Sequence, residues 1–380
     1  MTYKKKAVVI CPAYNESENI EKIINIVFNS FPPKKGWDFH VLIVDGNSPD
    51  GTGDIVRKLI SKYSKLHLLV EKEKAGLGAA YLRGMEYAFD EMKATHVFEI
   101  DADLSHDASK IPEFVEKLDK GYDLVLGTRY RNGGAIPSDW GIHRKFLSVM
   151  GNLYIRILFM DNRISDWTGG YKALSKKVYD AVKDQVSLEK GYTFQVSLNK
   201  KAVNSGFRVA EIPFVFKDRT AGESKLGPEY FINALFFVTK MAIVDFFKST
   251  FFKVGVVGFA GFLVQTLFFY LFYEVILLRS PIAQAASAEV AIFSNYLLNN
   301  VYSFKHKKIT GVKNMLVKFL WFNLFSLGSV LIQFITQQVG VTFFDETRLV
   351  VYTFFVIGIF LGLISNFYFY KNFVWKDKKN

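Results

Sequence analysis

Two carboxylates separated by one small residue, Asp101-Ala102-Asp103, stand directly after the apolar run Val97, Phe98, Ile100. In that spacing they can share one hard divalent cation that also binds phosphate oxygens. Residue types alone leave a second reading open, a solvated turn after a strand, because Asp is common in turns. Similar polar clusters close three other apolar runs: Tyr14 and Glu16 after 7–11, Asp45 after 41–44, and Arg129 after 124–128. Asp45 and Glu16 can accept hydrogen bonds from a ribose or a base, and Tyr14 offers a stacking face. Further on, Arg144, Lys145 and Ser148 fall on a helical pattern shared with Leu147, Leu153 and Ile157. That combination suits a phosphate clamp built from charge-assisted contacts beside a lipid-facing surface, and equally an ordinary surface helix. Arg219 and Lys225 flank Gly222 in FKDRTAGESKL, a basic loop able to fold over a diphosphate and exclude water.

The elements that must position these groups alternate regularly. After the first run, Ile20, Ile23, Ile24 and Val27 recur at helical spacing; Asp50 or Thr52 can cap a helix beginning near Asp54. A Gly76-x-Gly78 loop opens an Ala-rich helix after the third run. Strands alternating with helices predict a mainly parallel, doubly wound sheet, whose strand ends converge on one rim. The first strand–helix turn carries no GxGxxG and the chain no GxxxxGK[ST], so dinucleotide and P-loop readings drop out.

The chain of 380 residues has room for two domains. Half of it is hydrophobic, with 38 Phe, yet 22% is charged, an average over two unlike halves. A net charge of +12 suits nucleic acid or an anionic membrane surface, and its distribution favours the membrane. The lone Cys11 excludes an intramolecular disulfide and a Cys-based zinc cluster, and reads as a small buried hydrophobe. No apolar signal segment precedes PAYNE, so the first half is expected to stay in the cytosol.

PAYNE, VDGNSPDGTGDIV, GLGAAYLRG, DADLSHDASKIPEF and LGTRY resemble the successive motifs of a GT-A glycosyltransferase of family 2, in particular the polyprenyl- or dolichyl-phosphate mannose synthases. The resemblance spans Lys6 to roughly Leu226 and implies a Rossmann-like α/β catalytic domain, GDP-mannose as donor, a lipid phosphate as acceptor, and Mg2+ or Mn2+ as cofactor. It implies that Pro12, Tyr14, Glu16, Ile43 and Asp45 hold the nucleoside, and that Asp101, Ala102 and Asp103 hold diphosphate and metal. Ser105 stands where some relatives place Gln near the metal, and its hydroxyl is a shorter, weaker ligand. Asp166 and Thr168 in SDWTGGYKALSKKV correspond to a sugar-proximal Asp and Thr or Ser, and Gln195 lies in the helix that follows. Arg129, Arg144 and Ser148 would receive the acceptor phosphate, and Arg219 and Lys225 the donor diphosphate. His106 and His143 have no assigned part.

From Pro228 the composition changes. Residues 228–250 mix Phe, Leu and Ile with Lys240, Asp245 and Lys248, as amphipathic interface helices do. Apolar stretches follow at 251–278, 282–304, 316–339 and 350–370, each near the ~20 residues that span a bilayer. Asn295, Asn299 and Asn300 in the second suit helix–helix hydrogen bonding, and Glu289 should face protein or the interface. Lysine clusters at 305–308 and 371–379 place both basic segments with the catalytic half in the cytoplasm, the orientation an even number of spans also requires. FFKVGVVGFAGFLVQTLFF and SNYLLNNVYSFK resemble the GtrA-like membrane module. The expected organisation is therefore a catalytic domain (1–227), interface helices (228–250) and a four-helix, multi-pass plasma-membrane domain (251–380) that holds the site against lipid, with room for oligomerisation.

The expected function is transfer of mannose from GDP-mannose to dolichyl or polyprenyl phosphate with inversion, and no role with nucleic acid. A same-class alternative uses UDP-glucose or another hexose donor. A processive polysaccharide synthase is disfavoured because QxxRW is missing. A lipid flippase with a regulatory soluble domain is the non-enzyme alternative.

Overall fold

The computed structural model describes residues 5–186, 192–218, 228–278, 280–344 and 347–376. The chain divides into two compact units, Met1–Ala242 and Ile243–Asn380.

The first unit is built on a seven-stranded sheet in the order β3-β2-β1-β4-β6-β5-β7. The strands are β1 (Lys5–Ala13), β2 (Trp37–Asp45), β3 (Leu66–Val70), β4 (His96–Glu99), β5 (Leu124–Thr128), β6 (Lys172–Ser175) and β7 (Val209–Pro213). All neighbours run parallel except β6, which is antiparallel to both β4 and β5. The expected mainly parallel sheet is thus present, with one reversed strand inserted beside the strand that leads to Asp101. Along β1 the side chains alternate between two cores: Val9 and Cys11 join Ile43, Phe98 and Phe114, while Val8 and Ile10 join Leu42, Val44 and Tyr81. Cys11 is free and buried, as its setting in an apolar strand predicts.

Helices cover both faces. They are α1 (Ile20–Asn29), α2 (Thr52–Ile60), α3 (Leu77–Glu86), α4 (Ile111–Asp119), α5 (Ile142–Phe159), α6 (Lys176–Val182), α7 (Tyr192–Asn204) and α8 (Pro228–Lys248). Helix α1 shows why these segments form: Ile20, Ile23, Ile24 and Val27 lie on one face and are all buried. Residues 228–248 form one continuous helix rather than several, since no Gly or Pro follows Pro228 to interrupt it. Val238 of α8 packs into the second core, and Tyr154 of α5 shares a 2.6 Å hydrogen bond with Thr239.

The second unit contains α9 (Thr250–Tyr270), α10 (Ser280–Leu298), α11 (Val312–Phe344) and α12 (Arg348–Phe369), at the four expected apolar stretches. Among the described residues, Thr250–Val275 and Val312–Phe344 are long and apolar enough to cross a membrane. Ser249 and Thr347 cap α9 and α12 by accepting from the amides of Phe252 and Val350. Gly261 lets α10 approach α9, because a Cβ there would lie 2.2 Å from Asn295. Asn300 accepts from the Ile309 amide and the Trp375 indole, and Glu289 accepts from Asn323 at 2.8 Å. Asn300 and Glu289 are thus paired within the helical unit, while Oδ1 of Asn295 and of Asn299 is buried without a hydrogen-bond partner.

Candidate active site

The carboxyl ends of β1, β2 and β4 open on one cavity, lined among others by Pro12, Tyr14, Glu16, Asp101, Ala102 and Asp103. Parallel strands end together there, so residues far apart in sequence meet. Leu104, two residues past Ala102, has φ 63°, an uncommon left-handed conformation for a branched side chain that turns the chain sharply. The turn is closed by Asp103, whose Oδ1 accepts from the Ser105 amide at 3.1 Å.

Asp101 is held from three directions. The Tyr81 hydroxyl donates to Oδ1 at 2.7 Å; the Asp101 amide donates to His106 Nδ1 at 3.0 Å; and His106 Nε2 lies 3.8 Å from Oδ2. Burial, followed by the Asp101 and Glu99 carboxylates, pushes the Tyr81 phenol well up, so it stays a donor. Because His106 Nδ1 accepts, the proton of a neutral ring sits on Nε2, facing the carboxylate. His106 therefore has a part that its sequence position does not suggest.

Beneath Asp101, Glu99 and Lys172 sit opposite each other in the β4–β6 register, both fully buried. Gln195 donates to Glu99 at 2.8 Å and Lys172 to Asn199 at 2.9 Å, so Gln195 supports the sheet. Burial moves Glu99 up and Lys172 down from their ordinary values, each shift opposed by attraction to the other.

The donor set fits a hard divalent cation. Among the described residues Tyr81 engages Oδ1 of Asp101 and not Oδ2, and a Cβ on Gly170 would lie 3.8 Å from Oδ2. Ser105 Oγ is buried without a hydrogen-bond partner, an orphaned oxygen beside the pair. Among the described residues no third His, Cys, Asp or Glu joins them. Diphosphate and water oxygens would complete such a coordination sphere, as is usual for Mg2+.

Tyr14 and Glu16 line the same cavity, with Lys74 Nζ 3.9 Å above the Tyr14 ring. One face of the expected stacking platform therefore carries a cation. Asn19 donates to Glu16 at 3.0 Å. Asp45 is buried and accepts from the Ser48 hydroxyl at 2.5 Å. Ile43 corrects its expectation: its side chain is fully buried in the first core and does not line the cavity, because alternation along β2 turns it inward.

Arg129 also departs from the expected open phosphate cation. Its guanidinium makes a two-pronged pair with Asp166, 2.7 and 2.8 Å, and donates to Thr168 at 3.0 Å. The side chains of Arg129 and Asp166 are 8% and 0% exposed. Asn152 ties this pair to α5, donating to Thr168 at 3.2 Å and to the Ser148 carbonyl at 3.1 Å, while Tyr130 and Ser148 share a 2.6 Å hydrogen bond. Arg129, Ser148, Asp166 and Thr168 thus form one network, joined by Asn152 and Tyr130. Arg144 lies 3.8 Å over the Trp140 ring and donates to Asp218 at 3.0 Å. Arg219 and Lys225 lie outside the described residues.

Helix α5 carries an apolar stripe at helical spacing. Ile142, Phe146, Val149, Leu153, Ile157 and the following Met160 are all exposed, Ile142 by 85% and Met160 by 91%. A contiguous apolar face of this kind beside a charged site marks a partner or membrane surface.

Comparison with known proteins completes the description. A model of glycosyl transferase family 2 matches residues 8–183, and one of the GtrA/DPMS transmembrane domain matches residues 253–375. Polyprenol monophosphomannose synthase of Mycolicibacterium smegmatis is 36% identical over 240 residues, 63% of this chain and 88% of that protein. Dolichol-phosphate mannosyltransferase of Pyrococcus furiosus is 30% identical over 335 residues, 88% of this chain and 90% of that protein. A solved structure of glucosyl-3-phosphoglycerate synthase from Mycobacterium tuberculosis, with Mn2+, UDP and phosphoglyceric acid, superposes with a TM-score of 0.41 at 15% identity, covering 64% of this chain and 78% of that one.

Proposed function

Since the chain belongs to glycosyl transferase family 2 and joins that domain to a GtrA/DPMS transmembrane domain, we propose that it transfers mannose from GDP-mannose to a polyprenyl or dolichyl phosphate. One observation carries the reading: a single cavity is lined at once by Tyr14 and Lys74 and by Asp101 and Asp103. Such a lining supports a base beside Tyr14 and a diphosphate beside the carboxylate pair.

The chemistry follows from the acceptor. A phosphate monoester is already anionic near neutral pH, with a second pKa of about 6, so the attacking oxygen needs no general base. Its attack on the anomeric carbon forms one C–O bond as the bond to the donor diphosphate breaks, and a single displacement inverts that carbon. Asp101 and Asp103 would hold Mg2+ or Mn2+, and a bound cation draws negative charge from the departing GDP. Tyr81 and His106 keep the Asp101 carboxylate oriented. Ser148 and Arg144 receive the acceptor phosphate at the start of α5, while Arg129 holds Asp166 and Thr168 in place beside it. Arg219 and Lys225, in the basic loop, offset the charge of the donor diphosphate. The apolar stripe of α5 and the apolar side chains of α8 suit the lipid surface from which the acceptor comes. We place the catalytic unit and both basic segments on the cytoplasmic side of a multi-pass plasma-membrane protein.

The test is incubation of the purified full chain with labelled GDP-mannose, Mg2+ and a polyprenyl phosphate. Mannolipid should form, and should disappear with EDTA and in Asp103→Ala. Transfer from UDP-glucose alone would replace the donor, and unchanged activity in Asp103→Ala would remove the metal-site assignment.

A further inference from the structure

Glu71 is the residue immediately beyond β3, and its amide donates to the Asp45 carbonyl at 2.8 Å, which fixes its backbone at the sheet rim. Its side chain lines the same cavity as Tyr14 and Lys74 and is only 3% exposed. Yet Oε1 has no hydrogen-bond partner. The nearest cation, Arg83, brings Nε no closer than 4.0 Å and has a side chain 58% exposed, so solvent screens that pair. Burial, opposed by Arg83 and reinforced by Asp45, pushes the Glu71 carboxyl up from its ordinary value. A buried, ionisable acceptor aimed into a ligand cavity costs stability unless a ligand supplies donors.

A carboxylate only accepts hydrogen bonds. Among the common nucleobases, guanine alone offers two adjacent donors on one edge, N1–H and the exocyclic N2 amine. Uracil offers a single N3–H flanked by two carbonyl oxygens, which repel a carboxylate. Adenine and cytosine present a ring acceptor beside their amine. Lys74, the only cation lining the cavity among the described residues, is a donor of the kind that guanine O6 accepts.

Resting on the nucleotide-sugar reading above, we infer that Glu71 is the donor-specificity residue, selecting a guanine nucleotide by accepting from N1–H and N2–H. The discrimination comes from the orphaned carboxylate: a base lacking either donor leaves it buried and unpaired.

The experiment measures binding of GDP, IDP and UDP to the purified full chain in Mg2+. IDP differs from GDP only by lacking the N2 amine. Wild type should bind GDP at least tenfold more tightly than IDP, about 1.4 kcal/mol, and more tightly still than UDP. Glu71→Gln, nearly isosteric, should bring the GDP/IDP ratio to within about threefold of unity. Glu71→Asp, which retracts the carboxylate by one methylene, should lower the ratio as well and serves if the Gln variant does not fold. A wild-type ratio near one, or a ratio that survives in the folded variants, overturns the assignment. GDP-mannose transfer alongside an unchanged ratio would sink the Glu71 assignment alone; no transfer from any nucleotide sugar would sink the broader reading.

Discussion

Replacing Arg129 by Gln strands a buried carboxylate. The pair with Asp166 is two-pronged and nearly dry, with 8% and 0% of the side chains exposed. Removing one partner of such a pair costs roughly 3–5 kcal/mol, because the other charge stays buried. Asp166 keeps bonds from the Arg129 amide at 3.2 Å and the Thr168 hydroxyl at 3.3 Å, which favours the lower end. For a domain of this size each kcal/mol moves the melting midpoint by about 2–4 °C, so Arg129→Gln should lower it by roughly 6–12 °C. Arg129→Gln combined with Asp166→Asn removes both charges and should recover at least half of that loss. The assay is thermal unfolding of the full chain in detergent for wild type, both single variants and the double, with mannolipid formation run in parallel. If Arg129→Gln melts within about 2 °C of wild type yet loses transfer a hundredfold, the guanidinium serves the substrate and the scaffold reasoning is wrong.

Three further outcomes are expected. Tyr81→Phe deletes the 2.7 Å hydrogen bond to Asp101 and should raise the Mg2+ concentration for half-maximal transfer by about 10–100-fold, with little loss at saturating metal; an unchanged metal titration refutes the positioning role. Phe146→Glu with Ile157→Glu puts charge on the exposed stripe of α5; transfer to a long polyprenyl phosphate in liposomes should fall at least tenfold while GDP binding stays unchanged, and equal transfer would detach the stripe from lipid. Burial, aided by Lys5, pushes His96 down to about 4, so it is neutral in the fold while the unfolded chain titrates near 6.5. The unfolded state then binds the extra proton as pH falls from 6.5 to 4, and stability drops across that window by up to about 3 kcal/mol. His96→Phe should flatten that part of the stability curve, measured by denaturant unfolding, and an unaltered slope would contradict it.

How far these features can be read before folding depends on the range of the interaction. The rim residues Tyr14, Asp45, Asp101 and Arg129 each end an apolar run, and a parallel sheet gathers such ends without further information. Strand β6 escapes that logic because it is only four residues long and opens on Lys172, a charge that makes sense only against Glu99 of the neighbouring strand. Tyr81 reaches Asp101 across 20 residues and Asn152 reaches Thr168 across 16, so neither has a local signature. Glu71 looks like any surface Glu in EKEK until the structure buries it. The same holds for Arg129: its type promised a free cation, and only the fold shows the charge committed to Asp166.

Committing Arg129 internally has a consequence for the acceptor. A lipid phosphate must reach the anomeric carbon while its chain stays in an apolar medium, so the groups that meet its head and its tail have to share one rigid body. In the proposed reading α5 supplies both: Ser148 is bonded to Tyr130, while Phe146, Leu153 and Ile157 are exposed within about ten residues of it, some 15 Å of helix. A mobile arginine would reposition the head freely and lose that registration. A guanidinium locked to Asp166 instead holds Thr168, which bonds Asn152 on the inner face of α5. The buried ion pair thereby links α5, the helix proposed to present the lipid, to the segment that, through Gly170, passes beside Asp101. With Arg129 held in the scaffold, the charge of the reacting anions falls, in the proposed reading, to Arg144, Arg219, Lys225, the Ser148 hydroxyl and a divalent cation.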